Sequence, residues 1–312
     1  MKRGRASTLY RGGLWRVGLG AARRLPRGLS CALGSLGAAA YGALAVPRRR
    51  ILESNLAPIV GDGAAATATA GRLLREFAIK LVDLWRFEAG VSMHPSFVTG
   101  QDWRHLTDAL AKRRGVLLVT PHLGNWELGA PLLASRGIRL AVVTQAEPGD
   151  DFTELRRQAR SRQGIETVVI GQDAFGSIPL IRKLEEGVAV AMLIDRPASN
   201  ATTVELFGRP FAASLAPADL ARVTGCAIVG VYIVRTHEGY CAHALPEFHY
   251  DRAQLGTRES RRQFVQDIVR AFEPVIRQHA TQWFHFVPVW TSLPPMAPEA
   301  PGQPSAPPRP IP

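Results

Sequence analysis

The chain has 312 residues, 46% hydrophobic and 21% charged, a composition that fits a packed globular core and excludes an intrinsically disordered protein. Its formal charge of +12 is unevenly placed: residues 1–50 carry 11 Lys and Arg and no acid, which leaves 27 basic against 26 acidic residues in the rest. That asymmetry argues against a nucleic-acid-binding body and for a basic N-terminal attachment segment whose partner is anionic membrane lipid.

Cys31, Cys226 and Cys241 are odd in number and lack metal-ligand spacing. A disulfide framework or zinc site is therefore a poor reading, and a reducing compartment is the default.

In chain order, the first feature is Leu29 to Val46, LSCALGSLGAAAYGALAV, an uncharged run built mainly of Ala and Gly. It is borderline in length and apolarity for a membrane span. A basic segment before an apolar one also fits a secretory signal, but Arg48, Arg49 and Arg50 follow with no clean cleavage site. With arginines on both sides, the run is expected either to rest in or partly enter the membrane interface, or to form a buried small-residue helix.

Ala70 to Glu88 places Leu73, Phe77, Leu81 and Leu84 at helical spacing and predicts an amphipathic helix. From Gly115, apolar strand patterns at 116–120, 140–144, 167–170, 188–195 and 228–234 alternate with helical patterns at 152–163, 178–186 and 216–224. Gly187 and Gly225 are natural helix stops. This alternation predicts an α/β fold with a mainly parallel central sheet flanked by helices. A long helix is expected over 258–279, kinked or interrupted at Pro274. The Pro-, Ala- and Ser-rich segment 291–312 is expected to be disordered. The domain organisation is thus an attachment segment at 1–50 containing the helix 29–46, a domain over 51–290, and the tail.

The most informative stretch is Gly115 to Ala130, GVLLVTPHLGNWELGA. An apolar strand ends at Thr120, and His122 follows two residues later, at the sheet edge where ligands of parallel α/β proteins gather. Gly124 permits a tight turn, Asn125 is a good N-cap, and Glu127 falls in the first turn of the next helix, near enough to fold back on His122. A histidine oriented by a carboxylate is a general base, suited to taking the proton of an alcohol as it attacks a carbonyl. A plain structural reading competes, in which His122 closes a strand end and Glu127 favours the helix dipole. There is no G-x-S-x-G nucleophile, Walker loop or G-x-G-x-x-G, and Cys226 lies in an apolar run, so direct transfer without a covalent acyl-enzyme is expected.

TPHLGNWELGA resembles the HxGNWE form of the H-x4-[D/E] block of the bacterial lipid A biosynthesis (late) acyltransferases, within the wider lysophospholipid- and glycerol-3-phosphate-acyltransferase-like fold. The resemblance continues in RQARSRQG at 157–164, IRKLEEGVAVAMLIDRP at 181–197, VELFGRPFAASLAPADLARVTGCAIV at 204–229 and QWFHFVPVW at 282–290. It implies an enzyme that moves a fatty acyl chain from acyl-acyl carrier protein, or acyl-CoA, to a hydroxyl of a lipid A precursor, with no cofactor and no metal. It also implies acyl carrier protein and a glycolipid acceptor as partners and the cytoplasmic face of the bacterial inner membrane as location.

By position, His122 matches the catalytic histidine and Glu127 its acidic partner. Arg160 and Arg162 match a basic element suited to acceptor phosphates or a developing oxyanion, although Arg156, Arg157, Arg160 and Arg162 also suit a solvated helix face. Asn125, Asp195 and Arg209 are expected to border the acceptor, with turn formation the competing reading for Asp195 and Arg209. Leu206, Phe207 and Phe211 suit an acyl channel or plain core.

One departure bears on the acceptor. Where many lipid A acyltransferases end QWFWxHxRW, this chain has Val287 and Val289. Another glycolipid or phospholipid, such as a phosphatidylinositol mannoside, is the alternative acceptor. A non-catalytic lipid-binding homologue is the alternative class.

Overall fold

The structure is a computed structural model that describes residues 12–91, 97–145, 150–170, 177–195 and 201–290. The proline-rich segment 291–312 lies outside the described residues.

Four helices come first: α1 (Gly12–Arg24), α2 (Arg27–Leu44), α3 (Val46–Val60) and α4 (Ala64–Glu88). There follow β1 (Phe97–Thr99), α5 (Arg104–Ala111), β2 (Val116–Thr120), α6 (Trp126–Ser135), β3 (Leu140–Gln145), α7 (Asp150–Ser161), β4 (Glu166–Ile170), α8 (Ile178–Glu185) and β5 (Ala189–Leu193). The chain continues through β6 (Ala201–Leu206), β7 (Arg209–Ser214), α9 (Ala216–Thr224), β8 (Ala227–Arg235), β9 (Tyr240–Glu247) and α10 (Arg258–Gln278). Seven strands form one sheet in the order β1-β9-β8-β2-β5-β3-β4. Every pairing is parallel except β8 with β9, and β6–β7 is a separate antiparallel hairpin.

Residues of β2 are buried throughout, as a central strand covered on both faces requires. Its neighbours β5 and β8 supply the other apolar runs of the core. The apolar-run pattern does not predict the β9 strand or the β6–β7 hairpin. β9 alternates buried and half-buried positions from Tyr240 to Leu245, with Cys241 and His243 half-buried and Pro246 exposed, too mixed in character for an apolar-run criterion. Leu206 and Phe211 of the hairpin are buried core residues, while Phe207 is only half-buried, with the Arg277 guanidinium over its ring.

Pro274 sits inside α10, which runs as one element from Arg258 to Gln278 instead of being interrupted. The proline removes one hydrogen-bond donor, but Phe264, Val265, Ile268, Val269, Phe272, Val275 and Ile276 bury one face along the whole helix and hold it against the core.

The apolar N-terminal run forms α2, and no residue of it is fully buried. One face packs on α4 through small residues: a Cβ built at Gly34 would lie 3.5 Å from Ala78 Cβ, and one at Gly42 would lie 3.0 Å from Leu74 Cδ1. Leu29, Leu33, Leu36 and Leu44, at helical spacing on the other side, are exposed. No single described helix is long and apolar enough to cross a membrane; α2 and α3 pass that test only as a pair bent by 95°. The borderline run is therefore a surface helix not long and apolar enough to span alone, and it is not the buried small-residue helix that was the competing expectation.

Candidate active site

The sheet brings two distant loops together. Thr120 of β2 pairs in parallel with Leu193 of β5. His122 and Asp195 each lie two residues beyond that last pair, so equal steps off adjacent parallel strands bring their side chains side by side. His122 Nδ1 is 2.6 Å from Asp195 Oδ1, and the His122 backbone N–H donates to Asp195 Oδ2 at 2.7 Å. The Trp283 indole N–H (3.2 Å) and His285 Nε2 (2.7 Å) also face Oδ2. All of this is buried: His122 is 8% exposed, and Asp195 and His285 are 5% exposed.

Burial alone would raise the Asp195 pKa, but the His122 and His285 imidazoles and their hydrogen bonds hold the carboxyl well below the usual carboxylate range. An ionised Asp195 keeps a proton on Nδ1 of His122 and leaves Nε2 as the basic nitrogen. His122, Asp195 and His285 also offer three donor atoms within 4.8 Å of one another, a spacing that one metal ion could bridge. They are already joined by hydrogen bonds through Asp195, which a metal would have to displace.

The loop carrying His122 is stitched on both sides. Gly124 has φ of +61°, and a Cβ there would collide with the Ile233 carbonyl, so only glycine fits. The Gly124 N–H donates to Gln282 O, the Asn125 N–H to Ile233 O, and the Phe284 N–H to His122 O. His285 is held by α3 from behind: Asn55 Nδ2 donates to the His285 and Val287 carbonyls at 3.0 and 2.8 Å, and Asn55 Oδ1 accepts from Val289 N–H.

Glu127 does not take the place expected for it. It lies in the first turn of α6 beyond Trp126, whose ring meets the His122 imidazole edge-on at 5.0 Å between centroids. Its carboxylate pairs with Arg156 and with Arg160 of α7, the latter at 3.0 Å. Arg156 pairs in turn with Glu88 of α4, which accepts from the Trp15 indole at 2.7 Å. The residue bonded to His122 Nδ1 is thus Asp195, while Glu127 ties α6 to α7.

Asn125 starts α6, but its side chain makes no capping bond. It is fully buried, and Nδ2 lies 3.3 Å from both the Lys80 carbonyl and Tyr240 Oη. Tyr240 donates to Asp83 at 2.9 Å, and Asp83 receives a two-pronged Arg27 pair at 2.7 and 2.9 Å. Asn125 is thereby a brace and not a groove-facing residue. Arg162 and Arg209 are exposed, whereas His122 and Asp195 are buried.

Sequence reasoning missed His285, Trp283 and Lys80. The first two lie in QWFHFVPVW, where nothing in the local pattern marks a histidine and a tryptophan as partners of a distant aspartate. Lys80 stood among the polar positions of an amphipathic helix, where a lysine is ordinarily solvated.

A mainly parallel α/β sheet with a buried histidine–carboxylate pair beyond its carboxyl edge places the chain in the class of α/β proteins with a sheet-edge site. Within that class, the chain belongs to the bacterial lipid A biosynthesis acyltransferase family, whose model matches residues 8–292. It is also similar to phosphatidylinositol mannoside acyltransferases. One, from Mycobacterium tuberculosis (strain CDC 1551 / Oshkosh), is 23% identical over 188 residues, 60% of this chain and 58% of that protein. Another, from Mycolicibacterium smegmatis (strain ATCC 700084 / mc(2)155), is 24% identical over 291 residues, 88% of this chain and 90% of that protein. The matched segment thus spans under two thirds of the length of the first relative.

Proposed function

We propose that the protein is a membrane-associated O-acyltransferase and that the His122–Asp195 pair is its general-base centre. The observation that carries this reading is the 2.6 Å contact between Nδ1 and a buried carboxylate. Nε2 of His122 takes the proton of the acceptor hydroxyl as its oxygen attacks the thioester carbonyl of acyl-acyl carrier protein or acyl-CoA. The tetrahedral intermediate then expels the thiolate, which recovers the proton, giving an ester and a free thiol. Asp195 holds the tautomer and stabilises the transient imidazolium. Arg160 and Glu127 act at the neighbouring cleft and not on the imidazole.

The acceptor is the hydroxyl of a glycolipid. A phosphatidylinositol mannoside type is favoured by the named relatives and by Val287 and Val289 in place of the lipid A pattern. A lipid A precursor is the second reading, supported by the family description.

The membrane part of the proposal rests on α2, whose exposed leucine face lies within a 50-residue segment carrying 11 basic residues and no acid. Such a helix suits the interface plane of an anionic bilayer, as on the cytoplasmic face of an inner membrane. The deciding experiment is mass spectrometry of total lipids, lipid A included, from a deletion strain complemented with wild type or His122→Ala. One missing acyl chain restored by wild type alone supports the reaction and identifies the acceptor. Unchanged lipids would overturn the proposal in favour of a binding protein.

A further inference from the structure

Lys80 is 4% exposed, although a lysine side chain is rarely taken out of water without a counter-charge. Its Nζ lies 3.0 Å from the centroid of the Trp126 ring, with the Phe77 and Phe284 rings at 5.7 and 5.5 Å. Among the described residues no oxygen accepts a hydrogen bond from this ammonium. Yet the group is not sealed in: Lys80 lines a cleft of about 60 Å³ together with Trp126, Glu127, Thr144, Arg156 and Arg160. Trp15, Leu81, Leu84 and Phe152 form the apolar remainder of its wall. Arg160 reaches it from α7 using one nitrogen on Glu127, which leaves other guanidinium donors for a ligand.

We infer that this cleft is a subsite for a phosphate-type oxyanion of one substrate, held by Lys80 and Arg160, with Lys80 taking up a proton from water as the anion enters. A planar guanidinium beside an ammonium that lacks an acceptor matches the geometry of a phosphate or phosphodiester. Glu127 and Glu88 prevent the cleft from being strongly cationic when empty, because they neutralise Arg156 and part of Arg160. An incoming anion therefore needs the extra charge that Lys80 supplies.

Burial pushes Lys80 down to about 7, with Glu127 raising it and Arg156 lowering it. The other charged groups nearby are Arg160 on α7 and, on its own helix, Glu76, Asp83 and Glu88, which are paired with Arg235, Arg27 and Arg156. Proton uptake that the Lys80→Met variant abolishes is therefore the part that reports Lys80.

The assignment of the anion to a substrate rests on the acyltransferase reading, but anion binding does not, and the experiment separates them. Isothermal titration of the full chain with sulfate, which does not titrate in this range, is run at pH 7.5 and 9 in buffers of different ionisation enthalpy. The expected result is proton uptake of up to one per site and an affinity that falls by roughly tenfold between the two pH values. Zero uptake in the wild type overturns the inference without any variant. Lys80→Met, checked for folding by thermal melting, is expected to lose the pH dependence and at least tenfold in affinity. Unchanged binding by a folded Lys80→Met means an adventitious ion only and also overturns it.

Coenzyme A and a soluble glycerophosphodiester are then used as competitors. Displacement by the first assigns the subsite to the donor, and displacement by the second to the acceptor. If neither displaces sulfate, the substrate assignment falls, whatever the outcome of the lipid analysis.

Discussion

His122 Nδ1 and Asp195 Oδ1 are 2.6 Å apart across 73 residues of sequence because both follow the last paired position of adjacent parallel strands by two residues. The pair is therefore built by sheet register and not by local sequence. Asp195→Asn keeps the shape and removes the charge, so the amide can present its NH₂ to Nδ1 and invert the tautomer. Turnover is expected to fall by about 10²- to 10⁴-fold with little change in KM. Steady-state kinetics with an acyl thioester donor check this; a near-normal kcat would remove Asp195 from the mechanism.

The Glu127 and Arg160 side chains, 3.0 Å apart and mostly buried, should be energetically coupled. A double-mutant cycle with Glu127→Gln and Arg160→Gln, read by urea unfolding, is expected to give a coupling of about 0.5–3 kcal/mol. Strict additivity would mean that the ion pair does not hold α6 to α7.

Asn55 satisfies two carbonyls and one N–H of the segment that carries His285. Asn55→Ala leaves these groups without that partner, and a loss of about 2–4 kcal/mol is expected. The control is Glu154→Ala, an exposed pair with Arg157, which should move the unfolding midpoint little.

Lys80 gives stability a pH dependence of defined sign. An unfolded lysine titrates near 10.5, whereas in the fold burial lowers it to about 7. Below about 7 both states hold the proton and the cost of burying the charge is fully present; between about 7 and 10.5 the folded state alone releases it. Stability from this residue therefore rises with pH across that window. Lys80→Met is expected to be more stable than wild type near pH 6, by on the order of a few kcal/mol, and to lose that advantage near pH 10. Denaturant midpoints at the two pH values decide it; a constant difference would contradict the buried, titrating lysine.

Leu33 and Leu36 are 51% and 67% exposed on the outer face of α2. Leu33→Glu with Leu36→Glu should leave the melting temperature nearly unchanged while weakening co-sedimentation with phosphatidylglycerol vesicles at least tenfold. Equal sedimentation would place membrane attachment elsewhere.

Much of the architecture was legible because strand and helix periodicities are local. The runs at 116–120 and 216–224 match β2 and α9, and the alternation from Gly115 gives the parallel sheet. His122 could be picked out because it follows an apolar strand directly. Its partner could not, since strand order and register decide which carboxylate meets Nδ1, and Glu127, near in sequence, is directed to α7 once α6 begins at Trp126. Asp195 stands out in the sequence as a strand-end residue expected to border the acceptor, but its contact with His122 follows only from strand order. His285 depends on a still longer connection, through Asn55 of α3, that no spacing encodes.

The chain of polar contacts from Arg27 through Asp83 and Tyr240 to Asn125 ties the first residue of α2 to the loop of His122. Under the proposed reading, this makes the surface helix a depth gauge. The height of the imidazole above the lipid headgroups is set by side chains of fixed length, so only hydroxyls presented at that level come within reach of the base. The choice among the hydroxyls of a large headgroup then becomes a matter of altitude as well as of shape.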